Sequence, residues 1–351
     1  MVTDVSIIIF QLSLTFVPSF CYNLNSFYEG RKKCLIAQIK EFIFMPLYER
    51  NLGRAIISNM IKAANIRDIL LEILVSRETT KLDLATGTGL SVTTVSDCIN
   101  LLVKGSLLSV CGTESSSGGR RPAIYRINPH YGYVIGIRVS PDQLEATMTL
   151  MDSSQIEHRR QALQLDPPLL IQIESLIESI CLSQDSRHPL AIGLSIPGHL
   201  DTQKGVVLQS NCGGWISVHI KEILERHYNT AAYLDHDINC CATYLHTIGG
   251  AKHIQNLMCM FRDCPDKAAL LVDGKVLRGR DNLCGLGGAQ IASLADLLGL
   301  QAVLTDLPID ECPAPISLYK ITSPVDVTAA IALNAEIQWF DRAYDIMRLE
   351  E

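Results

Sequence analysis

The sequence lacks the closely spaced cysteine pairs that mark disulfide-rich and zinc-binding proteins. None of its 12 cysteines forms a Cys-x-x-Cys pair, although Cys240 and Cys241 are adjacent. Cysteines scattered through a chain of 351 residues favour buried thiols in a reducing compartment over a disulfide framework. A zinc site is not supported, because zinc ligands come in short, regular spacings. We therefore expect a cytoplasmic protein with no metal and no cofactor.

The sequence also lacks an apolar run long enough to span a membrane. Its most apolar stretch, Val5 to Phe20, is interrupted by Gln11 and Pro18, and it is shorter than the roughly 20 apolar residues that a spanning helix needs. It is a poor signal peptide, because Asp4 rather than a basic segment precedes it. The stretch is either a membrane anchor or the product of a start assigned too far upstream.

We favour a misassigned start and no membrane contact, because residues 1–59 share no pattern with the rest of the chain. Met45 or Met60 is then the expected first residue, and residues 1–59 are an unassigned extension. The remaining sequence predicts two domains, at 60–128 and 129–351.

Charge is distributed unevenly between these two domains. Residues 60–128 carry 8 Lys and Arg against 6 Asp and Glu, whereas residues 129–351 carry 16 against 27. Only the first domain suits a polyanion such as DNA, and the acidic second domain would repel phosphate. The small positive charge of the first domain predicts modest affinity for a single copy. Tight binding would therefore need a homo-oligomer, in the simplest case a homodimer.

Residues 60–128 have the pattern of a winged helix-turn-helix that binds double-stranded DNA. Apolar residues follow a helical rhythm from Ile66 to Leu74, and a short second helix follows, with Thr79 or Thr80 as its N-cap. Ser91 can cap a third helix that runs to about Val103. Its buried face is predicted to hold Val92, Val95, Ile99 and Leu102. The side chains predicted to contact base edges and phosphates are Ser91, Thr93, Thr94, Ser96 and Asn100.

A glycine-rich hairpin follows the third helix and predicts the wing. Its strands are Leu107–Cys111 and Ala123–Ile127, and its tip carries Arg120 and Arg121. These two side chains are expected to contact phosphate or the minor groove. The alternative is an ordinary helical hairpin followed by a β-hairpin with a solvated basic turn.

After Asn128 the alternation of strands and helices predicts an α/β fold. The predicted strands are Tyr133–Val139, Gln143–Met151, Pro189–Pro197, Ala231–Asp235, Met258–Phe261 and Ala268–Val272. The predicted helices are Leu169–Leu182, Trp215–His227 and a helix from Ile238 to Leu245.

The order of motifs resembles the ROK family (repressors, open reading frames and sugar kinases), in its transcription-regulator branch. The resemblance covers about residues 60–300 and depends on a series of motifs: Gly118–Pro122 (GGRRP), Gly193–Gly198 (GLSIPG), Ser210–Trp215 (SNCGGW), Asp235–Asn239 (DHDIN), Val272–Gly279 and Cys284–Gly288. It implies an actin-like, ribonuclease-H-like ATPase-type domain of two α/β lobes around a cleft, behind the winged head.

The segments that bind phosphate in the kinases of this family are altered. An Asp-x-Gly-Gly-Thr turn is replaced by Arg138–Asp142 (RVSPD), and a glycine-rich loop is replaced by Asp263–Lys267 (DCPDK). The glycines whose N–H groups approach phosphate are missing, and Pro265 has no N–H at all. We therefore expect no kinase activity and assign no catalytic residue.

Two further departures predict that the domain is degenerate. The family's Gly-Glu-x-Gly-His segment reads Gly285–Ala289 (GLGGA), and its cysteine-rich zinc loop is absent after Ala289. The long C-terminal helices of the family are expected to be cut short, because the sequence ends at Glu351. The predicted domain is therefore C-terminally truncated.

The resemblance implies three ligand-binding positions for a small sugar or sugar phosphate. Asp237 matches the family's catalytic aspartate and would accept a hydrogen bond from a sugar hydroxyl, or it is simply the N-cap of the helix that follows. His236 replaces the asparagine that precedes this aspartate, and Asn211 is expected to line the cleft.

The leading hypothesis is a DNA-binding transcriptional regulator with a degenerate sugar-kinase-like effector or dimerisation domain, controlling carbohydrate-related genes. The alternative is an active ROK sugar kinase that carries a DNA-binding head. A third hypothesis is a body that serves only as a dimerisation scaffold. Turnover of ATP would support the alternative, and DNA binding that ignores sugars would support the third.

Overall fold

The computed structural model describes residues 47–113, 122–184, 188–252, 254–260, 268–278, 302–305, 317–320 and 325–349. The chain divides into two compact units, Met1–Ile61 and Lys62–Glu351. Helix α1, Leu47–Ser76, is continuous across the domain boundary that we predicted at residue 60. Within the described ranges, no helix combines the length and apolarity needed to cross a membrane. The apolar segment Val5–Phe20 lies outside these ranges.

The second unit begins with a head of three helices and an antiparallel hairpin. After α1 come α2 (Lys81–Thr88), α3 (Val92–Lys104), β1 (Leu108–Thr113) and β2 (Ala123–Ile127). Thr80 caps α2, because its side chain accepts from the backbone N–H of Asp83 and the Asp83 side chain accepts from the backbone N–H of Thr80. Its neighbour Thr79 pairs with Tyr125 of β2 through two backbone hydrogen bonds of 3.0 and 2.8 Å. The turn before α2 is therefore fastened to the hairpin.

Helix α3 begins and ends close to where the sequence predicts. The Ser91 side chain caps it by accepting from the backbone N–H of Thr94. Val95, Ile99 and Leu102 are buried as expected, but the prediction for Val92 is wrong, because half of this residue is exposed. Val92 is the first residue of the helix, and the apolar stripe that faces the head core starts at Val95.

After the head, a five-stranded sheet forms the first lobe of the body. Its strands are β3 (Tyr133–Val139), β4 (Gln143–Leu150), β5 (Gln155–Ala162), β6 (Ala191–Ser195) and β10 (Ala231–Leu234). They lie in the order β10-β6-β3-β4-β5, in which β3, β6 and β10 are parallel and β4 is antiparallel to both of its neighbours. Helix α4 (Leu169–Ser183) packs in the hydrophobic core on one face.

A second sheet repeats this strand arrangement and forms the second lobe. Its strands are β11 (Leu257–Met260), β12 (Ala268–Val272), β13 (Lys275–Val276), β14 (Ala302–Thr305) and β15 (Ser317–Lys320). The order is β13-β12-β11-β14-β15, again with the second strand antiparallel to both neighbours and the others parallel. The mixed α/β class that the sequence predicts is thus confirmed.

A small antiparallel sheet and one helix complete the first lobe. The strands are β7 (His199–Asp201), β8 (Val206–Gln209) and β9 (Ile216–Val218), and the helix is α5 (Ile220–Tyr228). The next helix, α6 (Asp237–Thr247), packs against the second sheet, where its Ile238, Ala242 and Leu245 share a buried cluster with Leu257 and Leu271. The prediction of a helix over Trp215–His227 is therefore wrong in its first part. Residues 216–218 pair with β8 instead, and the helix starts only at Ile220.

Helix α7, Val327–Leu349, was not among the predicted helices, because we expected the C-terminal helices to be cut short. It lies against β3 and β6 on the face opposite α4. Gly136 of β3 and Gly193 of β6 are paired in register and both face this helix. A Cβ atom on Gly136 would collide with the backbone of α7, and one on Gly193 would lie 2.7 Å from the Ile331 carbonyl oxygen. The absence of side chains at these two positions lets the helix contact the sheet directly.

Head and body share one hydrophobic cluster. Ile66, Ile73 and Leu102 of the head belong to the same buried cluster as Trp339 and Phe340 of α7. Polar contacts reinforce it, because Arg67 Nε lies 2.7 Å from Asp341 Oδ1 and Lys252 Nζ donates to the Val75 carbonyl oxygen at 3.4 Å. The head is therefore packed onto the body rather than tethered to it.

We expect Gly136→Ala to lower the free energy of unfolding by roughly 1–3 kcal/mol or more, because α7 must move away from the sheet to admit a methyl group. Gly250→Ala is the matched control, since a Cβ there meets no atom within 4 Å. Urea titration followed by circular dichroism would measure both. Equal stability of the two variants would show that α7 does not pack tightly on β3.

Glu336 of α7 is a fully buried carboxyl group at the junction of head and body. It accepts a hydrogen bond from Ser153 Oγ at 2.8 Å, whereas its Oε1 has no hydrogen-bond partner among the described residues. Burial raises the pKa of Glu336 well above its usual range, and nearby Asp152 adds to this, while the Ser153 hydrogen bond and Arg77 oppose it. The protonated form is therefore favoured in the folded protein.

Because the pKa of Glu336 is raised in the folded state, the protonated side chain stabilises the fold fully below the usual glutamate pKa. This stabilisation is lost as pH rises through the raised pKa. Glu336→Gln keeps the shape but does not titrate. The wild type should therefore lose stability relative to Glu336→Gln as pH increases from about 5 to about 9. Urea unfolding of both proteins across this range measures the difference between their free energies of unfolding. A difference that does not change with pH would contradict a raised pKa at Glu336.

Candidate functional site

The first candidate surface is the outward face of α3 in the head. Thr93 and Asn100 are exposed, and Ser96 is half-buried. Ser91 and Thr94 are also on this helix, but their hydroxyl groups lie 2.9 Å apart and bond to each other as part of the N-terminal cap. The side chains best placed to meet an external partner are therefore those of Thr93, Ser96 and Asn100. Arg120 and Arg121, at the predicted tip of the wing, lie outside the described residues.

The second candidate surface is the start of α6, where His236 and Asp237 follow β10. His236 is the N-cap and Asp237 is the first helical residue, so the alternative that Asp237 itself caps this helix is wrong. Asp237 Oδ1 accepts from the backbone N–H of Ile238 at 2.9 Å, and its Oδ2 lies 3.4 Å from Arg138 Nη2. Both carboxylate oxygens already have a donor.

Arg138 is the residue that stands where the kinases have the acid of their first phosphate turn. It lies near the end of β3, and its Nη1 is 3.8 Å from Glu145 Oε2 on β4. Arg138 is thus placed between two carboxylates, and it neutralises Asp237 from the side of the missing phosphate loop. The turn that follows is closed on itself, because the Ser140 N–H donates to the Gln143 carbonyl oxygen at 2.8 Å.

Asp235, which sequence analysis did not select, is the most connected carboxylate of the body. Only 3% of it is exposed, and Arg278 binds both of its oxygens, with Nη1 2.8 Å from Oδ1. Asn239 and Asn334 donate to it from α6 and α7, at 3.0 and 3.3 Å. Its place in the DHDIN motif could have identified Asp235 from the sequence. Nothing in the sequence predicts its ion pair with Arg278, which is 43 residues away.

Asn211, the third predicted ligand position, lines a separate cavity of about 720 Å³. The cavity lies between residues 163–169 and the loops at 197–199 and 209–214, and neither His236 nor Asp237 is among its lining residues. Ser210 holds the two loops together, because its Oγ donates to the Pro197 carbonyl oxygen at 2.6 Å. Gly198 is required there, since a Cβ would collide with the Gln209 carbonyl oxygen. The structure thus brings His236 and Asp237 together and places Asn211 in a separate cavity.

Cysteine and histidine side chains do not form a metal site in the part of the chain that the structure describes. Of the seven described cysteines, six are buried and Cys111 is exposed. Burial raises the pKa of the Cys240 and Cys259 thiols, so these side chains stay protonated and behave as core residues.

Known proteins resemble this chain both in sequence and in fold. Residues 134–293 match the model of the ROK family. The xylose repressor of Bacillus subtilis (strain 168) is 26% identical over 230 residues, which are 64% of this chain and 59% of the repressor. The xylose repressor of Bacillus spizizenii is 27% identical over 229 residues, with the same coverage. This chain therefore matches less than two thirds of the length of these relatives.

Among solved structures, a ROK family transcriptional regulator described as a homologue of the E. coli MLC protein has the same fold. It aligns with a TM-score of 0.64 and 13% identity, over 83% of this chain and all of that chain. This likeness concerns the fold alone. The body thus matches the model of the ROK family over residues 134–293 and has the fold of a ROK family transcriptional regulator.

Proposed function

We propose that this protein is a transcriptional regulator that binds double-stranded DNA through its head and a small sugar through its ROK domain. The observation that carries the proposal is the joining of a ROK domain to a three-helix head whose third helix exposes short polar side chains. The names of its relatives, which are xylose repressors, support the same function. Carbohydrate-related genes are the expected targets.

The head is proposed to act as a winged helix-turn-helix. Helix α3 would enter the major groove with Thr93, Ser96 and Asn100 toward the bases, and the hairpin of β1 and β2 would form the wing. Arg120 and Arg121 would contact phosphate or the minor groove from its tip. Because the body is acidic, a bound molecule would keep it away from the phosphates, and two copies would bind more tightly than one.

The effector is proposed to be a neutral sugar rather than a sugar phosphate. His236 and Asp237 offer hydrogen-bonding groups that suit hydroxyls, and Asn211 offers an amide in a separate cavity. The arginines near them are already committed to carboxylates, Arg138 to Asp237 and Arg278 to Asp235. A phosphate group would have to displace one of these carboxylates to gain a cationic partner. A neutral sugar such as xylose has no phosphate group and needs no cationic partner.

Kinase activity, the alternative function, is disfavoured by the position of Arg138. An active phosphotransferase needs a free general base beside the sugar and a cradle of N–H groups for the phosphates. Here Asp237 is ion-paired, and the Ser140 N–H is used inside its own turn. The second altered loop, Asp263–Lys267, lies outside the described residues.

Incubation with ATP, Mg²⁺ and D-xylose, or with a panel of hexoses, should therefore yield no sugar phosphate above background. A coupled assay for ADP, checked by mass spectrometry of the sugars, measures this. Turnover that disappears in Asp237→Asn would establish the kinase and overturn the proposal that the body only senses a ligand.

DNA binding is tested with duplexes selected from a random library by the purified protein. Arg120→Ala with Arg121→Ala should weaken binding to all sequences and lower the slope of log K against log salt by up to about two, because each phosphate contact releases counterions. Thr93→Ala or Asn100→Ala should cost about 1–3 kcal/mol on the selected sequence and less on random DNA, because base contacts carry the specificity.

The matched control for the wing is Lys204→Ala with Arg226→Ala, which removes two positive charges from exposed positions of the body. It should leave the salt slope unchanged in fluorescence anisotropy titrations. If the control lowers the slope as much as the wing variant does, binding follows net charge alone and the head has no special role. DNA affinity that no sugar alters would support the hypothesis of a body that is only a scaffold.

A further inference from the structure

Helix α7 is in contact with Asp235 between the two lobes, with the central sheet and with the head. Near its middle, Asn334 is 8% exposed, and its amide donates to Asp235 Oδ2 at 3.3 Å. Seven residues later, Asp341 forms the 2.7 Å ion pair with Arg67 of α1. One rigid element therefore touches both the carboxylate beside the candidate ligand site and the first helix of the head.

The ion pair of Asp235 and Arg278 joins the two lobes. Asp235 follows β10 of the first lobe, and Arg278 follows β13 of the second. Arg278 Nη1 also lies 3.2 Å from Thr202 Oγ1, which belongs to the turn between β7 and β8 of the first lobe. A change in the angle between the lobes must therefore lengthen or break these bonds.

Loss of Arg278 from Asp235 would not remain local. A carboxylate that is 3% exposed cannot turn to water, so it depends on its remaining donors, which are the His236 backbone N–H and Asn239 at Oδ1 and Asn334 at Oδ2, the oxygen that Arg278 Nη2 would leave. Asn334 belongs to α7, which cannot bend away from the sheet where it lies on Gly136 and Gly193. A displacement at Asn334 is therefore expected to move the helix as a whole.

Helix α7 is linked to the head at a second place besides Arg67, two residues after Asn334. Glu336 accepts from Ser153, and the carbonyl oxygen of the adjacent Asp152 accepts from the guanidinium of Arg77, in the connection between α1 and α2. Arg77 has a φ of 68°, in the left-handed region, so this connection has a backbone conformation that depends on its surroundings. The connection leads directly into α2 and α3.

We propose that α7 transmits the state of the cleft to the head, with the ion pair of Asp235 and Arg278 as its input and the contacts of Asp341 and Glu336 as its output. Closure or opening of the lobes around a sugar changes the ion pair, Asn334 passes the change to α7, and the support beneath α1 moves. The use of this coupling to control DNA binding depends on the proposed function, whereas the coupling itself is a property of the folded chain.

Hydrogen–deuterium exchange on the full chain tests the coupling without DNA or sugar. Asp235→Asn with Arg278→Gln removes both charges together, so no buried charge is left without a partner. Amide exchange in residues 62–80, which touch neither substituted side chain, should increase about fivefold or more, the low end of ordinary coupling energies. In an Asn334→Ala background the same double substitution should produce no additional increase in the head.

The matched control is Asp201→Asn with Lys204→Ala, which removes an ion pair of 3.3 Å between an exposed lysine and a partly buried aspartate of the same lobe. It should leave exchange in residues 62–80 at the wild-type rate. If the double substitution unfolds the protein, Arg278→Lys keeps the charge but loses the two-point contact and is measured in its place. Faster exchange confined to residues 231–247 and 268–278 would overturn the proposal, as would an unchanged increase in the Asn334→Ala background.

A parallel measurement separates this inference from the proposed function. In anisotropy titrations with selected DNA, the ratio of affinities with and without D-xylose should fall about fivefold or more in Asp235→Asn with Arg278→Gln. Wild-type protein that binds no DNA would refute the proposed function, and the exchange data would still decide on the coupling. A wild-type ratio that persists in the double variant would refute the coupling alone.

Discussion

The direct contact of α7 with two glycines of the central sheet is the constraint on which the rest of the body depends. Gly136 and Gly193 face each other across neighbouring parallel strands, and the helix lies on both. Strands buried on two faces need a covering layer on each side. Helix α4 provides one layer and α7 the other, so the helix that completes the core also carries the side chains that reach the head. The same helix therefore completes the core of the body and connects it to the head.

Each of the two carboxylates that flank His236 is paired with an arginine. Asp237 is opposed by an arginine at the first phosphate turn, and Asp235 is held by an arginine from the other lobe. Only Asp235 of the two is buried. Removing one partner of a buried pair costs about 3–5 kcal/mol, whereas intact pairs add little net stability. These ion pairs therefore fix the positions of the carboxylates more than they add to the stability of the fold. A site of this kind can orient hydroxyl groups and register lobe movement without transferring a phosphoryl group.

Local patterns in the sequence predicted the parts of the fold that local physics decides. The caps at Thr80 and Ser91, the hairpin strand Ala123–Ile127 and the buried strand β6 were placed within a residue or two, because short-range hydrogen bonds and apolar periodicity specify them. Strand β9 was taken for helix, since its pairing with β8 is a tertiary contact. The place of helix α7 on the sheet could not be predicted, because it depends on Gly136 and Gly193, which lie roughly 140 to 200 positions earlier in the chain.

The candidate site was predictable to a similar degree. His236 and Asp237 could be named from a motif, but Asp235 owes its connections to Arg278 and Asn334, at separations of 43 and 99 residues. No spacing rule links such positions. The ion pair of Arg138 with Asp237 was also invisible in the sequence, although both residues had been singled out separately. The parts of the site that depend on the meeting of two lobes required the structure.

The hydrophobic cluster that head and body share has a consequence for geometry on DNA. A reading head on a flexible tether can adjust to half-sites at many separations, because the linker absorbs the difference. A head whose core continues into Trp339 and Phe340 has no such freedom. In a two-fold dimer, the distance and twist between the two reading helices would be dictated by the axis that relates the bodies. Since B-DNA repeats every 34–36 Å or so, a few degrees of rotation between bodies would place both helices in phase with the groove or out of it.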